Sequence, residues 1–330
     1  MNYRFMGKTG VRVSQLCLGT MPFGNEADQE MSQALYCRAR DRGINFFDTA
    51  DVYQGGRSEE ILGKLCSHER DQVVIASKAY FPSGGGPNDR GNSRYHLRSA
   101  VEGSLRRLQT DRIDLFYLHR FDECTDLEES LRALEDLIRS GKVLYLGASN
   151  FAAWQVAKAL GISALRGWSS FVAIQPMYNL VKRQAEVEIL PLAKSENLAV
   201  FPYSPLGGGL LSGKYGVNAR PEEGRLQSNQ MYKTRYGDED YYVVAESFRE
   251  LAQELGVHPV SLAIAWVGSH EAVTAPIIGA RRVDQLEPAL ESVDIEMTAE
   301  LRDRISALSV GPPPATDRNE ESTKHNYGTR

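Results

Sequence analysis

Short apolar, β-branched runs alternate along the chain with amphipathic segments of helical length, the pattern of parallel strands joined by crossover helices. The predicted strands are Gln15 to Gly19, Ile44 to Asp48, Val73 to Lys78, Ile113 to His119, Val143 to Ser149, Phe171 to Gln175, Ala199 to Ser204 and Thr274 to Gly279. Eight such units close a ring, so the expected fold is an α/β (β/α)8 TIM barrel. Between the strands, Leu97, Val101, Leu105 and Leu108 share one helical face, as do Leu127, Leu131, Leu134 and Ile138. These faces are expected to pack on the outside of the barrel. Gly43, Gly141 and Gly161 stand where helices are expected to stop in a left-handed cap.

Three stretches break the rhythm. Phe81 to Asn92 is a Gly/Pro/Asn cluster, Gly207 to Asp238 is a longer insertion after the seventh strand, and the tail from Gly311 has no apolar periodicity. Each reads as a segment that could cover a site at the mouth of the barrel, and the tail reads either as disordered or as folded over that mouth. Nothing before the prolines of the tail resembles an interdomain linker, so 1–330 is read as one domain.

Composition narrows the function classes. A hydrophobic fraction of 42% and a charged fraction of 25% belong to an ordinary globular protein. A net charge of −5 with scattered basic residues offers no footprint for nucleic acid. No apolar run approaches the ~20 residues of a membrane span, and the N-terminus lacks the apolar core of a signal peptide. Four cysteines without CxxC spacing (Cys17, Cys37, Cys66 and Cys124) read as reduced thiols, which favours the cytoplasm. The histidines show no metal spacing with any Cys or acidic partner, so no metal is expected, and Trp154, Trp168 and Trp266 read as packing residues.

Barrel active sites sit at the C-terminal ends of the strands. Strand two ends on Asp48, strand three on Lys78 and strand four on His119, with Tyr53 just past Asp48 on the same rim. Asp48 and Lys78 alone would read as a rim ion pair, but clustering on adjacent strand ends favours chemistry. Carbonyl reduction needs a proton donor, and a phenol with an ordinary pKa of ~10 needs help to act near neutrality. An ammonium stabilises phenolate, a carboxylate holds the ammonium charged, and a neutral imidazole can hydrogen-bond and polarise the carbonyl oxygen. Arg120, one past His119, is a candidate for an anionic or hydroxylated substrate.

The segments GINFFDTADVYQGGRSEEILGKL, VVIASK and DRIDLFYLH resemble the signature of the aldo-keto reductase superfamily, from about Gly7 to about Leu308. The resemblance implies a catalytic tetrad of Asp48, Tyr53, Lys78 and His119, and a barrel with an N-terminal β-hairpin, long loops at the C-terminal face and an extra C-terminal helix. The stretch HRFDECTDLEESLRALEDLIRSGKVLYLGASNF is most similar to bacterial glyceraldehyde-phosphate reductase-like members and to potassium-channel β subunits. The implied cofactor is NADPH. Ser149, Asn150 and Gln175 match the nicotinamide carboxamide site, and Tyr203 matches the ring that stacks on nicotinamide. Ser204, Pro205, Leu206, Gly207, Leu210 and Lys214 match the pyrophosphate loop, and Gly279, Arg281 and Gln285 the segment for the adenosine 2′-phosphate. Gly19, Thr20 and Met21, with Asp48, line the same expected site. Where family members continue with Glu-Asn, Pro288 and Ala289 stand here, which leaves open how adenine is held.

The expected activity is NADPH-dependent reduction of a small polar or sugar-like aldehyde or ketone. A regulatory subunit that keeps the fold and the cofactor but turns over slowly is the alternative from another class. An aldolase using Lys78 as a Schiff base is disfavoured, since Asp48 would keep the amine charged. Substrate identity, direction of reaction and oligomeric state, including a homo-oligomer, are left open by the sequence.

Overall fold

The computed structural model describes residues 1–222 and 224–324. A hairpin of β1 (Tyr3–Phe5) and β2 (Arg12–Ser14) precedes an eight-stranded parallel sheet. The sheet strands are β3 (Cys17–Gly19), β4 (Phe46–Asp48), β5 (Val74–Ala79), β6 (Ile113–Leu118), β7 (Val143–Ser149), β8 (Phe171–Gln175), β9 (Ala199–Val200) and β10 (Ile277–Ile278). They run in chain order around the sheet with β10 beside β3. The remaining seam, between β9 and β10, closes through Thr274 N–H and Ile277 N–H donating to the Val200 and Pro202 carbonyls, both at 2.9 Å. This is the (β/α)8 barrel expected from the eight-fold repeat.

Outside the ring lie α1 (Gln29–Asp41), α2 (Arg57–Cys66), α3 (Arg94–Leu108), α4 (Leu127–Arg139), α5 (Ala153–Arg166) and α6 (Ile189–Glu196). They are followed by α7 (Arg225–Ser228), α8 (Gln230–Tyr236), α9 (Glu239–Glu254), α10 (Pro259–Gly268), α11 (Val283–Leu290) and α12 (Ala299–Ser306), the last being the extra C-terminal helix. Leu97, Val101, Leu105 and Leu108 of α3 and Leu127, Leu131 and Leu134 of α4 are all buried against the barrel. Asp28, Ser93 and Asp126 cap α1, α3 and α4, each side chain accepting from a first-turn N–H.

A second core fills the barrel. Cys17, Phe46, Ala76, Leu115, Tyr117, Ala173 and Phe201 point inward, and Met6 and Val13 from the hairpin plug the bottom. Tyr117 fits because β7 carries Gly147 opposite it: a Cβ there would lie 2.5 Å from the Tyr117 ring.

Several expectations need correction. Strands seven and eight are shorter than the predicted Ala199 to Ser204 and Thr274 to Gly279, because Pro202 and Pro276 have no N–H for the ladder. Gly161 lies inside α5, which continues to a left-handed cap at Gly167 with φ 65°. Gly43 and Gly141 do stand in the left-handed region beyond α1 and α4. The long insertion carries α7 and α8 over its own core of Leu210, Tyr215, Leu226, Tyr232 and Tyr236. Trp154 is 61% exposed, unlike the buried Trp266. Most of the described tail, 311–324, is exposed, and its last residues, 325–330, lie outside the described residues. All four cysteines are free, and among the described residues no helix is long and apolar enough to cross a membrane.

Candidate active site

Parallel register sets the rim. Gly19 pairs with Asp48, Asp48 with Ala76, Lys78 with Tyr117, and Ser149 with Gln175, so the polar residues gather, staggered from strand to strand, at the C-terminal face. Lys78 Nζ is completely buried and makes three bonds: to Asp48 Oδ1 at 2.5 Å, to the Thr49 carbonyl at 2.7 Å and to the Tyr53 hydroxyl at 3.2 Å. Asp48 Oδ2 accepts from Gln175 Nε2 at 2.8 Å. The Tyr53 and His119 rings meet edge to face at 6.1 Å. The four candidates, from the ends of β4, β5 and β6 and the turn after β4, are therefore one cluster in space.

Electrostatics give each group a state. Burial alone would lower the Lys78 ammonium, but Asp48 and the Tyr53 phenol outweigh it and the pKa rises, so the lysine stays charged. Burial pushes the Asp48 carboxyl up while Lys78 and Gln175 pull it back. His119 is driven well below the usual imidazole value by burial and by Lys78, which makes it neutral at physiological pH. Its Nδ1 is buried and meets no hydrogen-bond partner among the described residues. Tyr53 departs from the expectation of a lowered phenol: burial raises it more than Lys78 lowers it.

The predicted cofactor residues divide by environment. Ser149 Oγ donates to the Gln175 carbonyl at 3.0 Å, Asn150 Nδ2 to the His119 carbonyl at 2.9 Å, and the Tyr203 hydroxyl to Asn150 Oδ1 at 2.7 Å. Asn150 and Ser204 both hold φ 56°, a left-handed strain typical of positions kept for a site. These amide and hydroxyl groups, converging beside Gln175 on the rim, fit a nicotinamide carboxamide. The run Gly207, Gly208 and Gly209 is left-handed throughout, and a Cβ on Gly208 would lie 2.7 Å from the Tyr232 ring. Met21, Leu206 and Gly19 are half-buried, and Lys214 and Gly279 are exposed. Thr20, Pro205 and Leu210 are buried: Thr20 Oγ1 bonds the Asp48 carbonyl and Ser58, and Leu210 packs inside the insertion. Those side chains brace the site from behind.

Arg281 is half-buried with Nη1 3.6 Å from Glu26 Oε1, and its N–H donates to Gln285 Oε1 at 3.2 Å. Glu26 also accepts from Arg225 at 2.7 Å, so one carboxylate joins the loop after β3, the insertion and the β10 end. Sequence reading missed Glu26, in the loop after β3, and Arg225, at the start of the short α7 in the insertion, because neither position carries a distinguishing pattern. Arg120 is exposed on the rim, and Ala289 is buried on α11 beside the half-buried Pro288. Phe81, read only as the start of a loop, meets the His119 ring at 4.9 Å, and Phe121 meets Trp154 at 5.9 Å. Among the described residues no cluster of three or more His, Cys, Asp or Glu could hold a metal.

Comparison with known proteins agrees with this geometry. The aldo/keto reductase family model matches residues 15–310. The chain is 41% identical over 326 residues to uncharacterized oxidoreductase YrpG of Bacillus subtilis, covering 94% of this chain and 97% of that protein. It is 36% identical to a probable voltage-gated potassium channel subunit beta of Oryza sativa, over 96% and 99% of the two chains. Versiconal hemiacetal acetate reductase of Aspergillus parasiticus is 32% identical, over 91% and 94%. By barrel, rim chemistry and sequence, the chain belongs to the aldo/keto reductase family and is an NAD(P)H-dependent oxidoreductase.

Proposed function

We propose that this protein reduces an aldehyde or ketone to the alcohol with NADPH, Tyr53 donating the proton. The observation that carries the reading is the single ammonium of Lys78, bonded at once to Asp48 and to the Tyr53 hydroxyl. When bound, the dinucleotide supplies the hydride. Tyr53 gives its proton to the carbonyl oxygen, and the phenolate left behind is stabilised by Lys78, which Asp48 keeps charged. Neutral His119 hydrogen-bonds the same oxygen and orients it. Ser149, Asn150 and Gln175 would hold the carboxamide, and Tyr203 would lie against the nicotinamide. Gly207 and its neighbours would meet the pyrophosphate, and Arg281 the 2′-phosphate. A Schiff-base role for Lys78 lacks the neutral amine it needs.

For the substrate, the polar carbonyl expected from sequence has to lie beside Phe81, with Phe121 and Trp154 further along the rim. Rings in that position favour a carbonyl attached to a flat apolar or aromatic body. Relatives named norsolorinic acid reductase and aryl-alcohol dehydrogenase support the same direction.

The test is turnover of wild type and Tyr53→Phe on a panel spanning benzaldehydes and sugar aldehydes. Wild type should turn over with NADPH, fastest on the aromatic members. Tyr53→Phe should lose ~10²–10⁴-fold in the chemical step while still binding NADPH. Near wild-type turnover in the mutant removes Tyr53 from the role. Uniformly very slow wild-type turnover favours the regulatory reading instead.

A further inference from the structure

Tyr53 stands on a tight and strained turn. Gln54, Gly55 and Gly56 follow it with φ of 52°, 64° and 94°, three successive residues in the left-handed region. For Gln54 that conformation carries a steric cost that the surroundings must offset. The turn is tied down by Tyr53 N–H on the Ala50 carbonyl at 3.1 Å, by Gln54 Nε2 on the Met21 carbonyl at 3.0 Å, and by Asp51 N–H on the Lys78 carbonyl at 3.1 Å. Asp51 thus connects the Tyr53 turn directly to the strand that carries Lys78.

Behind this turn lies a buried cluster of charges that the reaction does not use. Asp51 is 3% exposed; neither carboxyl oxygen makes a well-formed hydrogen bond among the described residues, and the Val52 N–H on the same turn steadies the carboxylate only in part. Glu59, from α2, is fully buried and is bonded to Ser77 Oγ at 2.5 Å and to Arg107 Nε at 2.7 Å. Arg107, from α3, passes so close to the end of the turn that a Cβ on Gly56 would lie 2.6 Å from its Cδ. The groups facing Asp51 are therefore Glu59 on α2, Arg107 on α3 and Lys78 on β5, and the last is already bonded to Asp48 and Tyr53. Of the two buried carboxyls, Glu59 holds the Arg107 guanidinium, which acts on Asp51 only through its charge.

We propose that Asp51 is a proton-linked positioning residue: protonated, it lets the turn hold Tyr53 against Lys78, and ionised, it strains that turn and draws Tyr53 out of place. The physical reason is that an unpaired buried carboxylate must find solvation or a donor. The segment able to move toward one is the strained turn, because Glu59 and Arg107 are fixed between helices. The titration lies in the useful range: burial first, then the negative charge of Glu59, push the Asp51 carboxyl up to about 7, with Arg107, the Val52 N–H and Lys78 offsetting part of the rise. Carbonyl reduction should then slow as pH rises through neutrality, with an inflection that belongs to none of Asp48, Tyr53, Lys78 or His119.

The inference rests on the carbonyl-reductase reading for its kinetic part only, and the experiment separates the two. The turnover number at saturating NADPH and aldehyde, and the apo-protein melting temperature, are measured from pH 5 to 8.5 for wild type and Asp51→Asn. Wild-type turnover should fall several-fold across an inflection near neutral pH, and in Asp51→Asn, which carries no ionisable group there, it should be flat. An acid whose folded pKa is raised above the unfolded value costs nothing below the unfolded pKa and progressively destabilises as pH climbs to the folded one. Asp51→Asn should therefore melt a few degrees above wild type at pH 8 and approach it toward pH 5. This melting signature needs no turnover, so it survives if the assigned reaction is wrong. A wild-type profile without the inflection, an inflection retained in Asp51→Asn, or a melting difference independent of pH overturns the proposal. Failure of Asp51→Asn to fold does so as well, because the neutral side chain is the form the fold should prefer.

Discussion

Lys78 shows how much one buried side chain can organise. Its three donors go to a carboxylate, a backbone carbonyl and a phenol, so a charge that would be costly to bury is fully bonded. Its neighbours acquire their states from it: His119 stays neutral partly because the ammonium is near, and the Tyr53 phenolate has a counter-charge waiting. At the proposed 2′-phosphate position, Arg281 is the residue on which cofactor preference should turn. The 2′-phosphate is absent from NADH, and a charge-assisted hydrogen bond contributes ~1.5–3 kcal/mol, roughly ten- to a hundred-fold in affinity. Arg281→Ala should weaken NADPH by about that factor and NADH little, measured as a pair of dissociation constants by fluorescence titration. Equal losses for both cofactors would mean that Arg281 serves only its contact with Glu26.

Among the elements, β6 and β7 meet in a close packing contact inside the barrel. Tyr117 fills the barrel two residues before His119, and Gly147 on the neighbouring strand leaves room for its ring. A methyl at Gly147 would start 2.5 Å from that ring with the Ala173 carbonyl 3.1 Å away on the other side. Overpacking of this kind costs about 1–3 kcal/mol. Gly147→Ala should lower the denaturation midpoint accordingly, and should also shift His119 and reduce turnover, since the displaced ring sits on the same strand. Unchanged stability would show that the barrel interior has slack. The leucine faces of α3 and α4 and the eight-fold strand rhythm were legible in sequence, because a helix or strand writes its buried face as a period. The shortened β9 and β10 and the continuation of α5 through Gly161 were less so. Their limits depend on which backbone groups find partners in neighbouring elements.

Over the whole molecule, the barrel holds together only if its last seam closes, and there the ladder is made by few groups. Thr274 supplies two of them: its N–H donates to the Val200 carbonyl at 2.9 Å, and its Oγ1 accepts from the Val200 N–H at 3.0 Å. Thr274→Val keeps the shape and the backbone bond but leaves the buried Val200 N–H unsatisfied, a loss of about 1–3 kcal/mol. Urea unfolding should register it in the midpoint, and an unchanged midpoint would mean that the seam relies on other contacts.

What the sequence determined by itself was the barrel, the rim and the four residues on it. Strand ends follow from hydrophobic period, and Asp48, Lys78 and His119 fall on three consecutive ones with Tyr53 just beyond. What tertiary structure alone decided was everything that depends on partners distant in the chain. It joined Gln175 to Asp48, set Phe81 against His119, gave Glu26 to two arginines, and left Asp51 buried beside Glu59 and Arg107. None of these has a period or a spacing, because charge states and contacts are set by what surrounds a side chain in space. Asp51 reads in sequence as one more polar loop residue, and only its burial, without a well-formed side-chain hydrogen bond among the described residues, separates it from the others.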